Sequence, residues 1–266
     1  MKYEASSLWH LPLRDMKKVL EFCIGEALEQ RFTGNDIIIQ FRADDIGAPG
    51  KNFFRLMDIF LKHKTPLSLA VVPSWLMKPR WESFQSYNLK APSLWCWHQH
   101  GWRHTNHEPD GKKKQEFGPA RTVYAVINDI ENGWKRLESI MGNTFYPVFT
   151  PPWNRCSIDT LTMLNQMAYN AVSRIEGAFP RAPGKLPDYH INMDLHTRKE
   201  TNPAKGWENL FEELKGGLSN GYCGIMIHHQ RMNDLAFDFI ELLLEEIQKH
   251  NNIKMRNFRD CVETGL

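Results

Sequence analysis

Short apolar runs rich in β-branched residues alternate with amphipathic helical stretches along this chain. That alternation constrains the fold more than any other feature. "DIIIQF" (36–41) follows Gly34-Asn35 and reads as a buried strand. "LSLAVVP" (67–73) is a second strand, ended by Pro73, and "SLWCW" (93–97) a third. "YPVFTPPWNR" (146–155) begins as a strand and is cut off by Pro151-Pro152. Further strands are expected at Ala171-Val172, in "YHINMDL" (189–195) and in "CGIMIHHQ" (223–230). Between them lie helical patterns at 13–28, 51–63, 121–141, 157–168, 207–217 and 234–249. The segment 121–141 is typical, with Val123, Val126, Ile130, Trp134, Leu137 and Met141 on one face. Strands alternating with helices predict an α/β fold with a mostly parallel sheet and right-handed crossovers. About seven such units without a break favour a (β/α) barrel over an open sheet.

The 266 residues show no repeat, no low-complexity tract and no Gly/Ser linker, so one domain spanning 1–266 is expected. A formal net charge of +2 predicts no strong field, which disfavours nucleic acid as a partner. The five cysteines are odd in number and form no CxxC pair. That argues against a disulfide framework and a cysteine zinc site, and for a reducing compartment. "MKYEASSLWHLPLRD" at the start has no continuous apolar stretch of signal-peptide type, and the longest apolar runs are too short to span a bilayer. A cytoplasmic protein without a transmembrane segment is the expectation.

The polar residues that follow the strands carry the functional signal. They are Asp44-Asp45, the cluster "WHQHGWRHTNHE", "TPPWNR" and His228-His229. Parallel barrels put their active sites at the C-terminal ends of strands, so these four groups are expected on one rim. The cluster holds four of the chain's eleven histidines, His98, His100, His104 and His107. His100 and His104 would share a face on a helical turn, and His98 and His100 a face on a continuing strand. His104 and His107 could also pair. Spacing alone does not choose among them.

Asp and His donors suit Zn²⁺, and also Ni²⁺, Co²⁺ or Mn²⁺, without help from cysteine. Asp44 and Asp45, neighbours at a strand end, point to opposite sides, so one can meet a metal and the other a substrate. Adjacent aspartates are also common in plain polar turns. Together these groups describe metal-assisted hydrolysis, in which a carboxylate takes a proton from water and a histidine protonates the leaving group.

The order of "FRADDIG", "HGWRH", "TPPWNR" and "IMIHH" resembles the polysaccharide deacetylase family of carbohydrate esterases, over residues 36–230. The resemblance implies a distorted (β/α) barrel of about seven mostly parallel strands. It implies removal of N-acetyl groups from sugars with one divalent metal, zinc before cobalt, nickel or manganese. By the same resemblance Asp44 is the general base, Asp45, His100 and His104 are the metal ligands, and His228 is the general acid. Trp153, Pro152 and Arg155 would form a groove wall against the sugar.

The chain departs from the family pattern in places. Thr150 stands where the third motif usually begins with Arg, leaving Arg155 or Arg42 to substitute. Gly101 replaces the usual Ser or Thr after the first histidine. Asp194 in "INMDLH" is a weak match to the residue that orients the acid. These departures, with the unexported N-terminus, point to an amino sugar or glycan precursor as substrate. The alternatives are a non-sugar amide substrate, or a catalytically silent glycan-binding protein. "EPDGKKKQEFGPAR" (108–121) reads as a polar connection or a lid beside the metal. Nothing in the sequence sets the oligomeric state.

Overall fold

A computed structural model describes residues 4–31 and 34–265. The chain forms two compact units that interleave in sequence. The first takes residues up to Ala43, then Gly50–Leu67 and Asn192–Arg256. The second takes Asp44–Pro49, Ser68–Ile191 and the chain from Asn257 onward. Among the described residues no helix is long and apolar enough to cross a membrane.

The first unit opens with α1 (Met16–Glu29) and enters β1 (Ile37–Ile46), whose last residues belong to the second unit. Every residue of β1 except Asp45 is buried, as expected of a parallel strand covered on both faces. α2 (Lys51–Lys62) buries Phe53, Leu56, Met57 and Phe60, the i, i+3, i+4, i+7 stripe of an amphipathic helix. Each such side chain contributes roughly 1.5–3 kcal/mol on burial.

In the second unit the order of elements is β2 (Leu67–Val71), α3 (Lys78–Lys90), β3 (Trp95–His100), α4 (Val123–Met141), β4 (Phe145–Thr150), α5 (Ile158–Gln166) and β5 (Ala171–Val172). The spatial order of its strands is β5-β4-β3-β2. β3 and β4 pair in parallel with His100 opposite Thr150, and β4 pairs in parallel with β5. Phe117, Val126, Ile130, Phe149, Leu161 and Val172 form one core there.

The chain returns to the first unit through β6 (Met193–Asp194), α6 (Pro203–Ser219), β7 (Tyr222–Ile227), α7 (Asp234–Ile247) and β8 (Ile253–Met255). β7 pairs in parallel with β1 and with β6, and β8 pairs in parallel with β1. The chain closes on α8 (Phe258–Thr264). Helix starts carry side-chain caps at Thr122, Ser157, Asn202, Asn233 and Asn257.

Three elements lack a counterpart in the sequence reading. α3 buries Trp81, Phe84 and Tyr87, spaced three apart behind Pro79, which is a poor match to the helical period. β8 and α8 are too short to stand out from their polar surroundings. The strand expected at 189–195 is confined to Met193–Asp194. The N–H groups of Tyr189 and Ile191 are instead taken by the carbonyls of Val172 and Arg174.

Candidate functional site

β1 carries Asp44 and Asp45 just before its last residue, Ile46, with Asp45 at φ 61°. Asp44 is buried, 3% exposed. β3 ends in His100, followed by a loop in which Gly101 and His104 also take positive φ, 57° and 58°. Left-handed backbone is uncommon outside glycine, though Asp, Asn and His tolerate it best. The same conformation recurs at Trp153 and Asn154, just after β4. Four non-glycine residues with positive φ, Asp45, His104, Trp153 and Asn154, gather on three chain segments, the kind of strain that concentrates at functional sites.

This backbone brings three side chains together. The Nε2 atoms of His100 and His104 lie 3.3 Å and 3.2 Å from the same oxygen, Oδ1 of Asp45. The three donor atoms fall within 4.8 Å of one another and could hold one ion. Their union does not come from a helical turn. His100 closes a strand, and the loop reverses through Gly101 so that His104 faces back.

The donor set fits a cation. The second ring nitrogen of His100, Nδ1, donates to the carbonyl oxygen of Thr150 at 2.9 Å. That bond fixes the ring and aims Nε2 at Asp45, the outer-shell arrangement usual for a ligating histidine. Without an ion, burial works against a charged His100, but the hydrogen bond to Asp45 and the charges of Asp44 and Asp45 outweigh it and raise its pKa. Burial, together with the charge of His100, lowers His104 to about 4 against the pull of Asp45. A bound cation would neutralise Asp45 in place of a protonated His100.

Two further residues build this arrangement: Thr150, noted in the sequence only as a departure from the third motif, and Glu116, which the sequence reading did not single out. Thr150 is fully buried. Its hydroxyl meets His98 Nε2 at 2.9 Å, and its carbonyl takes both His100 Nδ1 and the Gly101 N–H. His98 is thereby committed behind the site, with its ring edge against Phe258. Glu116 is also fully buried. Its carboxylate accepts the backbone N–H of Trp102 at 3.1 Å and of Arg103 at 2.6 Å, which clamps the loop that carries His104. Burial raises the Glu116 pKa, against the backbone N–H groups of Arg103, Trp102 and Thr105. The stretch 108–121 is thus only partly a polar connection: Pro109–Lys114 is exposed, whereas Glu116-Phe117 is core. The apolar Phe117 inside a polar run was the available signal.

Aromatic rings flank the histidines. Trp153 lies 4.5 Å from His104 centroid to centroid, and Trp75 5.8 Å on a tilted approach. Pro152 packs against Gly101. Arg155 is directed elsewhere, its Nη1 3.5 Å from the Lys114 carbonyl. His107 is exposed on the same loop, its N–H bonded to the Gln115 carbonyl.

His228 and His229 belong to the first unit, directly after β7. The His228 N–H donates to Nδ1 of His196 at 3.1 Å. His196 is fully buried, and burial, with His228, His229 and Arg231 nearby, holds its pKa well below the usual range. Asp194 does not bond a histidine ring: Oδ1 accepts the N–H groups of His196 and Thr197, and Oδ2 the Thr197 hydroxyl. Arg42, in the same unit, is fully buried with Nη2 3.1 Å from the Met226 sulfur.

No protein-family model and no curated protein matches the sequence. Solved structures do match. A Mycobacterium smegmatis protein assigned to the polysaccharide deacetylases superposes with a TM-score of 0.66 at 14% identity, over 88% of this chain and 91% of that one. The chain has the polysaccharide deacetylase fold. A Pseudomonas aeruginosa PAO1 protein assigned in the same way gives a TM-score of 0.61 at 11% identity, over 85% of this chain and 90% of that one. A mutant of BA3943, a family 4 carbohydrate esterase pseudoenzyme with restored activity, gives 0.54 at 8% identity, over 86% and 68%. The polysaccharide deacetylase fold is a (β/α) barrel, as the alternation of strands and helices led one to expect. It is found in an enzyme's scaffold and in a pseudoenzyme's, so the fold alone does not set the activity.

Proposed function

We propose that this protein, as a single barrel domain over 1–266, is a metal-dependent hydrolase that removes an N-acetyl group from an amino sugar or glycan precursor. The observation that carries this reading is the convergence of His100 and His104 on one oxygen of Asp45, with His100 oriented from behind by Thr150. These three residues would hold one divalent ion, zinc before cobalt, nickel or manganese, since the donors are two nitrogens and one oxygen. A bound ion supplies Lewis-acid polarisation of the acetyl carbonyl and activation of water.

The chain's own groups do the rest. Asp44, buried beside the triad, takes the proton of the attacking water. His228 gives a proton to the departing amine nitrogen. Trp153, beside His104, and its chain neighbour Pro152 offer an apolar face for a sugar ring, and Arg155 would have to leave the Lys114 carbonyl to reach it. The fold it shares with polysaccharide deacetylases supports this class of substrate.

A silent glycan-binding protein is the second reading, kept because one protein of this fold is a pseudoenzyme. Elemental analysis with a panel of N-acetylated sugars and small amides separates the cases. A loss of one ion per chain in Asp45→Ala/His100→Ala relative to wild type, with acetate release abolished in Asp44→Asn, is the expected result. An ion without turnover on any substrate would favour the silent reading. No ion after incubation with zinc, cobalt or nickel would overturn the metal-dependent reading.

A further inference from the structure

A second cluster of metal-ligating side chains lies in the first unit, where α2 ends beside α7. His63, the residue after α2, stands with Glu241 and Glu245 of α7, and one ligand atom from each falls within 4.8 Å of the others. The His63 side chain is only 8% exposed, yet its Nε2 is buried without a hydrogen-bond partner. It points at Glu241, with Oε1 at 3.7 Å, too far for a hydrogen bond. A buried ring nitrogen left this way is costly unless something fills the gap.

The ring is held in place from its backbone. The His63 N–H donates to the Ile59 carbonyl, and its own carbonyl accepts Nε2 of Gln248, the residue that ends α7. Glu241 and Glu245 are one helical turn apart, where like charges repel. Lys62 meets Glu241 from solvent, with 62% of its side chain exposed, so it neutralises one carboxylate with a contact of the weak surface kind. Lys62 bonds the Glu241 carboxylate and not the His63 nitrogen, which stays unfilled.

We propose that His63, Glu241 and Glu245 form a second, structural site for a divalent transition metal, which joins the end of α2 to α7 and displaces Lys62. One imidazole nitrogen and two carboxylates suit Zn²⁺, Co²⁺, Ni²⁺ or Mn²⁺, with water completing the shell. The site is independent of the Asp45 triad and of the reaction proposed there.

Zinc stoichiometry, measured by elemental analysis after dialysis against dilute Zn²⁺, tests it in four proteins: wild type, Glu241→Gln/Glu245→Gln, His100→Ala and Lys62→Met. The glutamine pair is expected to lose one ion relative to wild type, whatever the content of the triad. His100→Ala is expected to keep the ion at this site and to show a zinc-dependent rise in Tm. Lys62→Met is expected to bind more tightly by calorimetry, because its competitor is gone. Equal zinc content in wild type and the glutamine pair, with circular dichroism showing both folded, overturns the proposal. So does a His100→Ala protein that holds no zinc.

Discussion

His100 Nδ1 lies 2.9 Å from the carbonyl oxygen of Thr150, and this bond decides which nitrogen of the ring faces Asp45. Because the acceptor is main chain, the orientation depends on the register of β3 against β4, which sets His100 opposite Thr150. The Thr150 side chain has a separate task, the hydroxyl contact with His98.

Thr150→Val separates the two tasks. It removes the hydroxyl and with it the buried hydrogen bond to His98 Nε2, a cost of about 0.5–1.5 kcal/mol. The carbonyl is untouched. Denaturant unfolding is expected to show that loss while metal content stays at the wild-type value. A fall in metal content would show that the hydroxyl, not the carbonyl, governs the site.

Gly101→Ala is expected to damage both stability and metal binding. Gly101 has φ 57°, and an added Cβ would lie 2.2 Å from Glu116 Oε2 and 2.6 Å from Pro152 Cδ. Gly142 has the same φ, with ψ −137° and open space around it, so Gly142→Ala carries only a backbone penalty of about 1–3 kcal/mol. Thermal melts of the two variants with and without zinc check this. Equal losses would mean that the packing around Gly101 yields without cost.

Glu116→Gln keeps the shape of the clamp but offers one acceptor oxygen where two backbone N–H groups need one each. The loop that carries His104 should loosen, and metal affinity should fall about 10–100-fold, the usual effect of losing an outer-shell partner. Calorimetric titration with zinc reads this, and circular dichroism checks that the fold survives. Unchanged affinity would show that His104 holds its place without the carboxylate.

Metal uptake should release about one proton per chain near pH 6. Burial opposes the charge on His100, but Asp45 and Asp44 raise its pKa above 6.5, so it is protonated there in the ion-free protein. His104, at about 4, is already neutral. Zinc affinity should therefore rise about tenfold per pH unit up to the His100 pKa and then level. A weakly buffered titration measures the released proton. Release of two would mean that His104 also carries one.

The alternation of strands and helices, and with it the (β/α) class, was legible because short apolar runs and period-3.6 burial patterns are local properties of sequence. α3 was not, since its buried Trp81, Phe84 and Tyr87 fall three apart. The residues Asp45, His100 and His104 were also legible as candidates, because short motifs at strand ends mark where a parallel fold puts its chemistry. Spacing left the pairing of His100 with His104 open, and the motif resemblance picked it; no helical turn joins them, since His100 ends a strand.

What the sequence by itself determined, then, was a set of candidate donors and the class of scaffold. Only the tertiary structure decided the rest: the left-handed turns at Asp45, Gly101 and His104, the strand register that aims His100, and the buried clamp of Glu116. The physical reason is range. Propensity and periodicity act over a few residues, whereas a hydrogen bond from His100 to Thr150, fifty positions apart, exists only once two strands have paired.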